Sequence, residues 1–321
     1  MQNLGMHSLT TAHKHLLVRD LSANERRQNT RTGELLRVRR GTYVPNDVWK
    51  TLNHEEQHLL RAIVVAADQR RSDCVLSHVS AALLHGLPAW NVPLKQIHLT
   101  RASRTGGGVK NRLVVHSASL DSGDFEVVDG IPVTRTARTV VDVARTVPFE
   151  QAVVIGDAAL HREIVTKDEL ALSLERARNL KGIAAARRAV AFMDRRSESV
   201  GESRSRVLFH AQGVASPQLQ AEVYDAEHTL IGRADFLFDE GLIGEFDGQV
   251  KYGRYLRPGE TIADAVLREK RREDALRELG WLVIRWMWAD LSRPTHLARR
   301  ILEALSRARS SRRPSGIWIP A

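Results

Sequence analysis

Two short runs of alternating apolar and polar character, Asp235-Phe236-Leu237-Phe238 and Leu242-Ile243-Gly244-Glu245-Phe246-Asp247-Gly248, flank Asp239-Glu240-Gly241. A chain with this pattern has few choices besides a tight β-hairpin. A three-residue loop with Gly241 at positive φ sets Phe238 opposite Leu242, and Asp235 then faces Glu245 on one side of the sheet. A two-residue Glu240-Gly241 loop would send the two acids to opposite faces, so a shared site requires the longer loop. Like charges directly opposite are unfavourable unless a cation lies between them, and hard oxygen ligands on neighbouring strands suit Mg²⁺ (or Mn²⁺). The competing reading has one acid pointing to solvent at a sheet edge, as most strand carboxylates do. The same register puts Asp247 opposite Arg233, as a cross-strand ion pair.

The flanking sequence predicts a helix from Ser199 to the stop at Gly213, a charged helix over 268–279 stopped by Gly280, and a buried strand over 281–286. The order is helix, strand, hairpin strand, helix, strand. It resembles the PD-(D/E)xK nuclease core, specifically the very-short-patch-repair-like (Vsr-like) endonuclease domains. The residues carrying the likeness are Glu202, Pro217, Gln220, Arg233-Ala234-Asp235, Glu245-Phe246-Asp247-Gly248, Lys251-Tyr252, Glu269-Lys270-Arg271-Arg272 and Leu279-Gly280-Trp281. The resemblance implies that Asp235 and Glu245 hold the metal and that Glu202 supports it. Asp247 stands where the archetypal motif has lysine, and Lys251 or Lys270 is the replacement cation. Substitutions of this kind also accompany inactive copies.

The chain has 321 residues, 43% of them hydrophobic, which suits two or three globular domains. It has no apolar run of membrane-span length and no signal-peptide core near the N-terminus, so a cytoplasmic location is expected. Cys74, the single cysteine, excludes an internal disulfide or a cysteine metal cluster and reads as buried. A net charge of +10 points to a polyanionic partner, of which DNA is the natural choice.

Basic residues cluster at the N-terminus. A first helix is expected over 10–18, and Ser22-Ala23-Asn24-Glu25 has capping-box spacing for a second helix that stops at Gly33. That helix presents Arg26, Arg27, Gln28, Asn29 and Arg31, side chains suited to phosphates and base edges. Residues 35–44 follow as a strand, a basic turn and a strand bearing Arg37, Arg39 and Arg40. Together they predict a winged helix-turn-helix. The segment resembles the N-terminal domain of AbiEi-type antitoxins in its arginine, glycine, aromatic order at Arg40, Gly41 and Tyr43.

In the middle of the chain, helices are expected over 54–67 and 75–84, and strands over 97–100 and 112–116 around a Gly106-Gly107-Gly108 loop. A further helix should run through Val140 and Ala144. Ser77-His78-Val79-Ser80-Ala81-Ala82, Asp129-Gly130-Ile131-Pro132-Val133-Thr134 and Arg138-Thr139-Val140-Val141-Asp142 resemble the central domain of the same antitoxin family. His78, His85, His98 and His116 match no standard zinc spacing, and His78 and His85 read as ordinary helix contacts. A basic helix over 301–313 and a loose end over 314–320 complete the chain. Trp281 and Trp286 read as core, with Trp288 left open between core and base stacking.

The expected fold class is α/β, mixed α+β: a winged helix-turn-helix over 1–50, a central α+β domain over 51–195 and a restriction-endonuclease-like αβββαβ core over 196–321. Two functions compete. One is a Mg-dependent DNA endonuclease using Glu202, Asp235, Glu245 and Lys251 or Lys270. The other is a catalytically inactive, DNA-binding regulator of antitoxin type with a cognate toxin.

Overall fold

A computed structural model describes residues 14–19, 21–68, 73–103, 106–110, 112–248 and 260–320. It divides between Met193 and Asp194 into two compact units.

The first unit opens with β1 (Val18–Arg19), α1 (Ala23–Thr32), β2 (Leu35–Arg39) and β3 (Thr42–Pro45), in an antiparallel sheet of order β1-β3-β2. The capping box forms as its spacing predicts: Ser22 accepts from the Glu25 N–H, and Glu25 accepts from the Ser22 N–H. Gly33 ends α1 at φ 67°, a conformation that costs a glycine little. The helix expected over 10–18 falls partly outside the described residues, and its end is corrected: Val18 is strand, paired with Tyr43.

The same unit continues through α2 (Asn46–Thr51), α3 (His54–Asp68), β4 (Cys74–Leu76), α4 (His78–Leu84), β5 (Ile97–Ala102), β6 (Gly108–Lys110), β7 (Leu113–Ala118), β8 (Phe125–Val128) and β9 (Ile131–Thr134). Helices α5 (Thr136–Ala144), α6 (Phe149–His161), α7 (Lys167–Arg176) and α8 (Ile183–Phe192) follow. The sheet order is β6-β7-β5-β4-β9-β8, with β5/β7 and β4/β9 parallel. Residues 74–76 form a strand rather than the start of a helix, because all three are buried and the strand pairs with both β5 and β9. Gly108 likewise belongs to edge strand β6. Leu59, Ile63 and Ala66 of α3 pack on Leu76, Leu99 and Val133 of this sheet, and α4 to α8 close a second, helical core.

The second unit runs α9 (Val200–Ala211), β10 (Gln218–Tyr224), β11 (Leu230–Phe238), β12 (Leu242–Phe246), α10 (Ile262–Glu278), β13 (Leu282–Trp286), α11 (Trp288–Leu291), α12 (Pro294–Ser310) and β14 (Ile317–Ile319). Its sheet order is β13-β12-β11-β10-β14, antiparallel except for β12/β13. The hairpin has the three-residue loop: Phe238 pairs with Leu242, and Gly241 sits at φ 95°. Alternation then sorts the two faces. Phe236, Phe238, Leu242 and Trp286 pack with Phe209 of α9 and Leu297, Ile301 and Leu305 of α12, whereas Leu237 and Ile243 pack with Leu276 of α10 and Trp281. Trp281 and Trp286 are core, as their sequence context predicts. Trp288 is 37% exposed, edge-on to Phe246 and beneath the Arg204 guanidinium.

The C-terminal segment expected to be a loose end contains β14, which pairs with β10 and packs Trp318 against the second core. Among the described residues no helix is long and apolar enough to cross a membrane.

Gly244 is the tightest point of the hairpin, since an added Cβ would lie 2.6 Å from the ring of fully buried Trp286. Gly244→Ala should therefore destabilise the second unit by about 1–3 kcal/mol, read as a lower urea midpoint with unchanged slope.

Candidate functional site

A polar row crosses four strands of the second sheet. Leu219 pairs with Phe236 and Ala221 with Ala234, so Gln220 lies beside Asp235; Phe236 pairs with Gly244, so Asp235 lies beside Glu245; and Glu245 pairs with Arg285. Asp235, Glu245 and Arg285 align because residues in register on neighbouring strands point to the same face, whereas Gln220 joins them from a left-handed backbone at φ 56° that breaks the alternation of β10.

Glu202 reaches this row from the first turn of α9. Its Oε1 accepts from Ser199 Oγ at 2.7 Å, and its Oε2 accepts from the Glu198 N–H at 3.0 Å and from Gln220 Nε2 at 2.8 Å. Asp235 Oδ2 accepts from the Phe246 N–H at 2.9 Å. Burial, then the neighbouring charges of Glu202 and Glu245, push the Asp235 carboxyl up from 3.8 to about 7, against the pull of the Phe246 hydrogen bond. Burial also raises Glu202.

Glu245 is held differently. Its Oε1 accepts from Arg272 Nη2 at 2.5 Å, and its Oε2 lies 2.8 Å from Arg285 Nε. Glu269 and Glu273 complete the cluster, with Glu269 Oε1 2.6 Å from Arg272 Nη2 and 2.5 Å from Arg285 Nη2, and Glu273 3.1 Å from Arg285. The site therefore brings Glu202, Asp235 and Glu245 together, but two guanidiniums take the last of these acids. Of the six oxygens on the three carboxylates, five have partners, and Asp235 Oδ1 is the one without a hydrogen bond or ion pair among the described residues.

Other expected positions fall elsewhere. Lys270 is exposed on α10, whereas Arg272 on the same helix reaches Glu245. Lys251 lies outside the described residues. The Asp247–Arg233 pair is corrected: Arg233 binds Glu198 at 2.8 Å, and the Asp247 N–H donates to the Trp286 carbonyl. Neither Arg272 nor Arg285 is expected from sequence to hold an acid of the site, yet both carry a signal. Glu269 and Arg272 have helical i,i+3 spacing, and Arg285 interrupts the apolar run Leu282-Val283-Ile284, where a charge demands a partner.

At the N-terminus, Arg26, Arg27, Gln28 and Arg31 are exposed on α1, as are Arg37 on β2 and Arg40 at the hairpin turn, with Arg39 partly buried. Asn29 is spent internally: its Nδ2 donates to the Leu35 carbonyl at 2.9 Å, and its Oδ1 accepts from the Leu35 N–H at 2.6 Å. It ties α1 to β2 through both ends of its amide.

Residues 74–193 match the family described as the AbiEi antitoxin C-terminal domain. The matched segment begins at β4 and ends just after α8. Two uncharacterised proteins of Mycobacterium tuberculosis, MT2308 of strain CDC 1551 / Oshkosh and Rv2248 of strain H37Rv, are each 33% identical over 184 residues, covering 57% of this chain. The chain spans 65% of the length of these relatives. The crystal structure of the RV2827C protein from Mycobacterium tuberculosis covers 59% of this chain and 80% of its own at 14% identity, with a TM-score of 0.34, too low to establish a common fold.

Because the folded Asp235 carboxyl binds its proton more tightly than the ordinary 3.8, stability should fall as pH rises from about 4 through about 7. Asp235→Asn removes this slope and keeps an acceptor for the Phe246 N–H. Urea melts at pH 5.5 and 8 should show the variant's gain over wild type larger at pH 8 than at pH 5.5 by about 2 kcal/mol. Equal wild-type stability at both values would contradict the assigned burial of this charge. Arg272→Ala should cost about 2–4 kcal/mol because it strips a buried acid of one of two cations, and Arg272→Lys should restore only part of that, lacking the planar fork.

Proposed function

We propose that the chain is a DNA-binding regulator of antitoxin type, whose second unit keeps a nuclease-like αβββαβ layout with its acids neutralised by arginine. The observation that carries this reading is the pairing of Glu245 with two guanidiniums, Arg272 hydrogen-bonded to Oε1 and Arg285 ion-paired at 2.8 Å to Oε2 without a hydrogen bond from its Nε. A divalent cation at Asp235 and Glu245 would have to displace two guanidiniums already at contact distance, so this donor set does not fit Mg²⁺ or Mn²⁺ as folded. The match of residues 74–193 to the AbiEi antitoxin C-terminal domain supports the same conclusion and brings a cognate toxin with it as partner.

DNA binding belongs in this reading to the N-terminal elements. Helix α1 serves as recognition helix, and the β2–β3 hairpin serves as wing. The exposed guanidiniums of Arg27, Arg31, Arg37 and Arg40 offer sequence-independent grip on phosphates. The endonuclease reading is favoured by one observation, the convergence of Glu202 and Glu245 on Asp235, and it differs in requiring metal-dependent cleavage.

Replacing Arg27, Arg31, Arg37 and Arg40 together with alanine should weaken duplex DNA binding and flatten its salt dependence by about one unit of log–log slope for each phosphate that the variant no longer neutralises. Fluorescence anisotropy across a salt series measures both. An unchanged slope in a folded variant would remove these elements from the DNA interface.

A further inference from the structure

Three histidines that sequence spacing leaves unconnected meet in the first unit. His98 lies on β5 and His116 on β7; Thr100 pairs with His116 and His98 with Val114, so both histidines point to one face of the sheet. His78 is the first residue of α4, and its ring stacks on His116 with centroids 3.7 Å apart. His98 Nδ1 and His116 Nε2 are 3.0 Å apart, and one ligand nitrogen from each of the three rings lies within 4.8 Å of the others. His78 is therefore not the ordinary helix contact that its sequence context predicts. His85 is, its Nε2 bonding the Thr134 carbonyl at 2.7 Å.

Two further observations mark the cluster as more than packed core. His78 Nδ1 is engaged by Ser77 Oγ at 3.0 Å, but its Nε2 is buried with no hydrogen-bond partner among the described residues, as is Thr100 Oγ1 on the strand position opposite His116. An unmet buried polar atom costs about 1–3 kcal/mol, and an ion bound by His78 Nε2 would remove that cost. His78 also holds φ at 52°, a left-handed conformation unfavourable for a residue with a Cβ. Strain of this kind gathers where a side chain must be aimed.

We propose that His78, His98 and His116 form a three-imidazole site for a divalent transition metal of the zinc class. Neutral imidazole is the ligating form, and burial holds all three rings below the ordinary imidazole range. Three nitrogen donors without thiolate or a ring of carboxylates select Zn²⁺, Co²⁺ or Ni²⁺ over Mg²⁺ or Ca²⁺, and leave a fourth tetrahedral position for solvent. The nearby guanidiniums do not forbid a cation. Arg138 is bound by Asp142 at 2.8 Å and Asp124 at 3.4 Å, and Arg145 by Asp142 at 2.6 Å. The ligands are also supported from behind: Ser80 Oγ accepts from the His98 N–H at 2.9 Å and bonds His58 Nε2 at 2.9 Å, fixing the strand against α3.

The site is independent of the carboxylates in the second unit, and so is its test. The full chain, stripped with chelator, is titrated with Zn²⁺ alone and its bound metal counted after desalting. The expected result is one equivalent retained, with Tm raised by roughly 5 °C at saturation, and none retained by the His98→Gln/His116→Gln variant. Stripped wild type that is folded and retains no Zn²⁺, or a folded double variant that retains the same equivalent, overturns the proposal. Should the double variant fail to fold, Co²⁺ added to the wild type decides: intense visible d–d bands of tetrahedral nitrogen coordination support the site, and the weak spectrum of aqueous Co²⁺ overturns it.

Discussion

Glu245 is 9% exposed on an inner strand, and a carboxylate there persists only if its charge is met. Arg272 from α10 and Arg285 from β13 meet it, and this interaction organises the second unit. It fastens α10 to the sheet, fixes the parallel β12/β13 register through the Glu245–Arg285 pairing, and draws Glu269 and Glu273 in behind the arginines. Removing one cation from such a pair costs more than the pair contributes, because the remaining charge stays buried. Asp235, two strands away from Arg285 in the row, is left among acids and shifts toward protonation instead.

The hairpin was legible in the sequence because its rules are local. Asp239-Glu240-Gly241 sets a loop length, alternation sets the faces, and register follows from both. The capping box at Ser22 and the stops at Gly33 and Gly213 were legible for the same reason. The partners of charged side chains are harder to see. Asp247 faces Arg233 by register alone, but Glu198, far away in sequence, takes that arginine. Lys270 and Arg272 are close in sequence, and only the angular position of α10 on the sheet decides which one reaches Glu245. Residues 74–76 defeat a sequence reading because a short, fully apolar run fits a buried strand as well as a helix, and only its two strand neighbours distinguish them. The histidine cluster is invisible in the sequence for a further reason: its members come from a helix start and two parallel strands, so no fixed spacing joins them.

The two units thus carry different chemistry. The first holds the basic helix and hairpin, the segment matching the AbiEi antitoxin C-terminal domain, and a buried imidazole cluster. The second holds three convergent acids whose electrostatics are balanced by protein cations and protonation. On the proposed reading Glu245 anchors α10 and β13 through its two arginines, Asp235 is tolerated by taking up a proton, and recognition of DNA is assigned to the N-terminal guanidiniums.

The most direct test is incubation of the wild-type protein with supercoiled plasmid in Mg²⁺ and in Mn²⁺, beside Asp235→Asn. The account predicts the plasmid stays supercoiled in every case, because Arg272 and Arg285 keep the metal from Glu245. Metal-dependent nicking by the wild type that Asp235→Asn abolishes would contradict it, and would return the site to hydrolysis.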